Sequence, residues 1–156
     1  MAKSTRQYVF EGMELLPAAL IPFVEKRLES SLKGHWQVQV LEKLPSLRPN
    51  SNGEVGWDQA ALFNAMDRFW NDAFRAVLGR AERSWVNELS DVRNKLSHNE
   101  TFSYDDAERA LDSMRRLMEA ISAGETADQL GKMRDTILRT KFTELHRNEE
   151  RRKTQR

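Results

Sequence analysis

A chain of 156 residues is long enough for one domain with a real core and too short for two. Its formal net charge of +1 excludes a global positive field, so any binding of nucleic acid must depend on a local patch. The chain has no cysteine, which excludes disulfides and thiolate chemistry, and its three histidines are scattered, which disfavours a histidine-rich metal site. We therefore expect a cytoplasmic protein without a metal or other cofactor.

The N-terminal third predicts one long helix. Ser4 and Gln7 have the spacing of a capping box, and apolar residues then recur every three or four positions as far as Leu32. Because this register continues through Pro17 and Pro22, we expect one kinked helix or two nearly collinear ones, ended by Gly34. No apolar run reaches the roughly 20 residues of a membrane span, so we expect neither a membrane anchor nor an export signal.

Residues 34–56 are predicted to be irregular. Trp36, Val38 and Val40 alternate with glutamines as in a short strand, but no second strand is available to pair with it. We expect an extended loop packed on a bundle, followed by a surface loop that is the most disorder-prone part of the chain.

Helical periodicity returns at Asp58 and predicts four helices from there to the C-terminal end of the bundle. The first of these four begins at Asp58 and is ended or bent by Gly79, and its aromatic residues are expected to form core rather than a base-stacking platform. The second spans 81–97 and should bury four residues: Trp85, Leu89, Val92 and Leu96.

The third of these segments is capped by Ser103 and stopped by Gly124, and a last helix is expected to start at Thr126. That last helix should turn five apolar residues inward: Leu130, Met133, Ile137, Phe142 and Leu145. The whole pattern predicts an all-α bundle of about five helices in a single domain, 4–146. Residues 147–156 are expected to form a frayed basic tail or linker.

The candidate site lies at the end of the helix over 81–97. On a helical wheel, Asn87, Asp91, Asn94 and His98 fall opposite the apolar face, and Arg93 falls at the border. An imidazole exchanges protons near neutral pH, and a guanidinium binds phosphate oxygens in pairs. Arg93, Asn94 and His98 are thus candidate catalytic residues for metal-independent RNA cleavage that leaves a 2′,3′-cyclic phosphate.

A structural role is the alternative. Arg93 could form a surface salt bridge with Asp91 or Glu88, and His98 could favour the negative end of its helix. Arg93 and His98 also lie about 140° apart on an ideal helix. Joint action therefore requires either a loosened helix end or a cleft shared by two copies of the chain, which makes a homodimer part of the expected mechanism.

At these residues the chain resembles the HEPN superfamily, whose mark is an arginine, a polar residue and, after a short gap, a histidine near a helix end. The stretch from Glu88 to Asn99, with flanking similarity at Trp57-Asp58 and Ala110–Ser113, is similar to the Swt-type HEPN domain. The resemblance implies a dimeric ribonuclease with Arg93, Asn94 and His98 as its site, or an RNA-binding relic of one. It also implies membership in larger antiviral-defence or stress proteins. Asn99 and Glu100 follow His98 in place of the tyrosine found in toxins that pair with nucleotidyltransferase antitoxins, so that subgroup is disfavoured.

Two functions therefore remain: an endoribonuclease, and a non-catalytic module for dimerisation or RNA docking. The expected partners are RNA, a second copy of the chain and further domains or defence-system subunits, with no membrane.

Overall fold

A computed structural model describes residues 3–155, which form an all-α bundle. Within them lie six α-helices and one π-helical turn. The elements in chain order are α1 (Thr5–Ser31), α2 (Trp36–Lys43), α3 (Gln59–Arg68), the π-helical turn (Trp70–Phe74), α4 (Arg80–Ser97), α5 (Tyr104–Ala120) and α6 (Gly124–Thr154). None of these helices is long and apolar enough to cross a membrane.

Helix α1 is a single helix that contains both of its prolines, with Ser4 as its N-cap. Pro17 cannot donate to the carbonyl of Met13, and the side chain of Gln59 replaces the missing donor, with its Nε2 at 3.2 Å from that oxygen. The apolar stripe predicted for this helix is buried from Val9 to Leu28. The hydrogen bond that Pro17 removes from α1 is thus replaced by a contact from the start of α3.

The core lies where α1 packs against α5 and α6. Gly12 permits this close approach, because a Cβ at its position would lie 2.8 Å from Cδ2 of Leu111 and 3.0 Å from Sδ of Met114. The most extensive helix pair is α5 with α6, and α4 packs against both α3 and α5. The predicted aromatic core is confirmed, since Phe69, Trp70 and Phe74 are all buried.

The prediction of an extended segment after Gly34 was wrong for residues 36–43, which form α2 with Val40 buried. The following loop is held in place rather than disordered. Its apolar residues Leu47 and Val55 are buried, and Oδ1 of Asn50 accepts hydrogen bonds from two backbone N–H groups of the turn. A side-chain amide and two apolar anchors therefore order a segment whose composition suggested disorder.

Three expectations for the ends and faces of later helices were also wrong. In α4 Val86 is buried in addition to Leu89, Val92 and Leu96, while Trp85 is only partly buried. Helix α5 ends before Gly124, because Ser122 takes the left-handed conformation (φ +65°) that closes its last turn. Helix α6 therefore begins at Gly124 and not at Thr126.

Helix α6 is much longer than its partner, with 31 residues against 17 in α5. Its last turns extend past the N-terminal start of α5, where Lys141 pairs with Asp105. Phe142 is therefore 65% exposed and Leu145 48% exposed, although both were predicted to face inward. The frayed tail is not observed either, because the helix continues to Thr154, with an ion pair between Lys153 and Glu150.

Candidate active site at the end of helix α4

Helix α4 carries the candidate residues, and its two faces are as the wheel predicts. Leu89, Val92 and Leu96 face the core, whereas Asn87, Asp91, Asn94 and His98 are exposed. Arg93 is half-buried at the border between the faces. At its other end, α4 begins after Gly79, whose N–H donates to Oε2 of Glu82 at 3.1 Å. The polar side of α4 therefore faces solvent, and its side chains do not contribute to the packing of the core.

The last turn of α4 has a defined geometry. His98 is its C-cap, and Asn99 adopts a left-handed conformation with φ +55°. The N–H of Glu100 then bonds to the carbonyl of Lys95 at 3.0 Å, and the N–H of Asn99 to that of Leu96 at 3.3 Å, which is the Schellman arrangement. The loosened helix end that would let Arg93 and His98 act together in one chain is not present.

Helix α1 fixes this turn from outside. Nη2 of Arg6 donates to the carbonyl of Leu96 at 2.8 Å and to Oδ1 of Asn99 at 3.0 Å. One residue earlier, the hydroxyl of Thr5 donates to the carbonyl of Phe102 at 2.6 Å. The start of α1 thus clamps both sides of the segment that contains His98. Sequence reasoning missed Arg6, because these partners lie about 90 residues away along the chain and no local motif marks the contact.

Arg93 lines a groove of about 200 Å³ between the start of α1 and the end of α4. Six of the lining residues carry the groove's chemistry: Arg6, Phe10, Glu14, Gln59, Arg93 and Ser97. Neither Asn94 nor His98 lines it. One chain therefore directs Arg93 towards this groove and leaves His98 exposed beyond it, so the two residues do not meet in a single pocket.

Arg93, Asn94 and His98 have no structural partner within residues 3–155. The guanidinium of Arg93 forms no ion pair there, and the side chains of Asn94 and His98 make no hydrogen bond. Of the two carboxylates that could have paired with Arg93, Glu88 lies 2.5 Å from Nε of Arg109 on α5, and Asp91 forms no ion pair in residues 3–155. The salt bridge offered as the alternative role of Arg93 is thus absent from the part of the chain that the structure describes.

The other side of α4 differs in charge. A wider depression between α4 and α5 is lined by three carboxylates, Glu88, Asp91 and Asp106, together with Lys95 and Arg109. This mixed surface would repel a phosphate backbone more than the Arg93 groove does. The α1 side of α4 is therefore the more favourable of the two for an anion.

Ion pairs between α5 and α6 support the scaffold behind the site. Nε of Arg134 lies 2.6 Å from Glu108 and 3.6 Å from Asp112. Partial burial would raise the pKa of Asp112, but hydrogen bonds from Arg115 and Arg116 outweigh it and hold that pKa below its usual range. Asp112 is consequently ionised at neutral pH and ties the two helices together.

No group of three or more histidine, aspartate or glutamate side chains is arranged to hold a metal ion in residues 3–155.

Comparison with known proteins gives one family. The family model described as Swt1-like HEPN matches residues 11–122, a segment that includes Arg93, Asn94 and His98 but not Arg6 or Phe10. No curated protein and no solved structure matches the chain.

Proposed function

The chain belongs to the Swt1-like HEPN family, and we propose that it is a metal-independent endoribonuclease module whose site is completed by a second copy of the chain. The observation that carries the proposal is the position of Arg93, Asn94 and His98. All three lie on or at the border of the solvent face at a fixed helix end, with no partner within the described residues. Side chains that form no ion pair and no hydrogen bond there are available for a ligand. We also propose that the module serves a larger defence or stress protein.

The proposed chemistry uses groups that the site contains. The 2′-oxygen of a ribose attacks the adjacent phosphorus, the bond from phosphorus to the 5′-oxygen breaks, and a 2′,3′-cyclic phosphate and a 5′-hydroxyl result. One His98 imidazole accepts the proton of the 2′-hydroxyl, and a second imidazole donates a proton to the leaving 5′-oxygen. Arg93 binds the phosphate oxygens on which negative charge increases, and Asn94 positions the phosphate or an imidazole.

The geometry of α4 supports a site made by two copies. Arg93 faces the groove beside α1, and His98 lies about 140° round the helix from it. Since the closed last turn keeps these directions apart, one chain offers a phosphate-binding group and a proton-transfer group that point to different places. A twofold pair of α4 ends would place two sets around one cleft and would supply both a proton acceptor and a proton donor.

Cleavage of a labelled single-stranded RNA tests the proposal. We expect His98→Ala to reduce the rate by about 10²- to 10⁴-fold while its circular dichroism and melting temperature stay unchanged, because the imidazole is exposed and supports no contact. The wild-type product should be a 2′,3′-cyclic phosphate and should form in EDTA. Arg93→Ala should also lower the rate, and Arg139→Ala, which removes an exposed arginine on α6, is the control for the loss of one positive charge. If His98→Ala cleaves as fast as the wild type, the proposed chemistry is wrong.

Mixing experiments test the shared cleft. If both imidazoles of a pair are needed, a mixture of equal parts wild type and His98→Ala should retain roughly a quarter of the wild-type rate after exchange of subunits. Independent chains would retain about half. A linear fall of the rate with the wild-type fraction would contradict a site made by two chains.

The small extent of cationic surface favours a second candidate, a non-catalytic module for dimerisation or for docking of RNA through few phosphate contacts. The carboxylates of the depression between α4 and α5, together with the net charge of +1, limit the area on which RNA could lie. In that case RNA binds without turnover, Arg93→Ala weakens binding or association, and His98→Ala has little effect on either.

A further inference from the structure

The groove beside Arg93 is lined by two arginines, Arg6 and Arg93, whose positive charges are not paired with a carboxylate in residues 3–155. Nη2 of Arg6 is occupied by the end of α4, but its Nε is buried without a hydrogen-bond partner in residues 3–155. Arg6 and Arg93 form no ion pair there, and the one carboxylate of the groove, Glu14, accepts a hydrogen bond from Gln59 at 3.2 Å. The third nitrogen, Nη1, forms no hydrogen bond in residues 3–155 and is not buried, so it is the donor of Arg6 that an oxygen ligand can reach.

The groove also exposes an aromatic ring. Phe10 is 47% exposed and lies four residues after Arg6, so both side chains share one face of α1. The other large exposed aromatic side chain in the described chain is Phe142, which lies on α6 away from this groove. Exposed aromatic rings beside cationic groups are the usual means by which proteins hold unpaired RNA bases.

We propose that this groove is a subsite for one unpaired nucleotide next to the bond that is cleaved, so that the substrate is single-stranded RNA. Phe10 stacks on the base, Arg6 binds the phosphate on one side of it, and Arg93 binds the phosphate at which cleavage occurs. The assignment of the second phosphate rests on the proposed function. In a duplex the bases stack on each other and are not free to contact Phe10, which accounts for the single-stranded substrate.

Arg6 has a second consequence in this arrangement. Because the same guanidinium holds Leu96 and Asn99, the phosphate that it binds is positioned relative to the last turn of α4 and hence to His98. Arg6 and Phe10 lie outside the segment 11–122 that matches the family. The subsite therefore combines Arg93, inside the matched segment, with two side chains that precede that segment.

RNA binding in the His98→Ala background tests the subsite without cleavage. The probes are a fluorescently labelled ten-nucleotide RNA of mixed sequence and its duplex, measured by anisotropy with the full chain. Phe10→Ala should weaken binding of the single strand about tenfold, Phe10→Trp should retain it, and the control Phe142→Ala should not change it. Arg6→Gln keeps an amide donor for the end of α4 but loses the charge. It should lower the slope of log Kd against log salt by about 0.7.

The outcomes separate the two proposals. If Phe10→Ala binds the single strand as tightly as its parent, or if the parent binds the duplex equally well or binds no RNA, the subsite is wrong. If the binding results are as expected but the wild type cleaves no RNA, the subsite stands and the ribonuclease proposal fails. A fall in affinity for Phe142→Ala equal to that for Phe10→Ala would also overturn the subsite, because the loss would then not depend on the groove.

Discussion

Alanine at Gly12 tests the close packing of α1 on which the groove depends. In the middle of a helix this substitution gains about 1 kcal/mol from intrinsic propensity. A Cβ at Gly12, however, would lie 2.8 Å from Cδ2 of Leu111, 3.0 Å from Sδ of Met114 and 3.2 Å from Cδ2 of Leu130. Overpacking of a core typically costs about 1–3 kcal/mol. Because three side chains must move together, we take a cost of about 2 kcal/mol and expect a net loss of about 1 kcal/mol.

Gly131 provides the matched control. It also lies inside a helix, α6, but a Cβ there would meet only Cδ of Arg115 at 3.4 Å, an ordinary contact. Gly131→Ala should therefore keep the full gain of about 1 kcal/mol in the free energy of unfolding. The two variants share one chemical change, so the difference of about 2 kcal/mol between them measures the packing of α1.

Urea denaturation followed by circular dichroism measures both free energies, and thermal melts provide a second estimate. For a chain of this length 1 kcal/mol corresponds to about 2–4 °C in melting temperature, so we expect Gly12→Ala to melt lower and Gly131→Ala higher by that amount. If both variants are stabilised equally, α1 does not approach α5 and α6 as closely as the structure shows. The placement of Arg6 and Phe10 beside α4 would then be refuted with it.

Three further substitutions test contacts around the site. Asp112→Asn should cost roughly 1 kcal/mol at neutral pH. The pKa of this carboxyl is held below its ordinary 3.8 in the folded chain, so the loss of unfolding free energy in Asp112→Asn should shrink as the pH falls through that lowered pKa. If urea melts show the same loss at every pH, the ion pairs of Asp112 do not stabilise the fold. Ser103→Ala should cost about 1 kcal/mol in the same melts, because Oγ accepts from a backbone N–H of the first turn of α5 at 3.0 Å, whereas Ser103→Asp should retain stability. Asn99→Ala should cost about 1 kcal/mol more than Asn99→Gly, since both remove the acceptor for Arg6 but only glycine adopts φ +55° without strain; equal losses would argue against the left-handed turn.

The periodicity of apolar residues was sufficient for the helices and for the two faces of α4. A helix repeats every 3.6 residues, so the positions of Leu89, Val92 and Leu96 alone place His98 on the opposite side. The resemblance to the HEPN superfamily, based on Arg93, Asn94 and His98, is confirmed by the family match. The catalytic roles of these residues stay predictions.

Periodicity failed where a segment's environment decides its structure. Residues 36–43 alternate like a strand, but with no partner strand in the described chain they satisfy their backbone groups as a helix. Phe142 and Leu145 continue an apolar period and are nevertheless exposed, because α6 extends beyond α5. The pattern shows which side of a helix is apolar, and only the neighbouring elements determine whether that side is covered.

The sequence by itself determined the all-α fold, the family and the separation of Arg93 from His98 around one helix, because each depends on local spacing or on a continuous motif. Only the tertiary structure decided what surrounds them. The clamp from Arg6 to Leu96 and Asn99, and the groove shared with Phe10, join residues about 90 positions apart. Such contacts follow from how α1 packs across the bundle at Gly12, and no local pattern of residues encodes that packing.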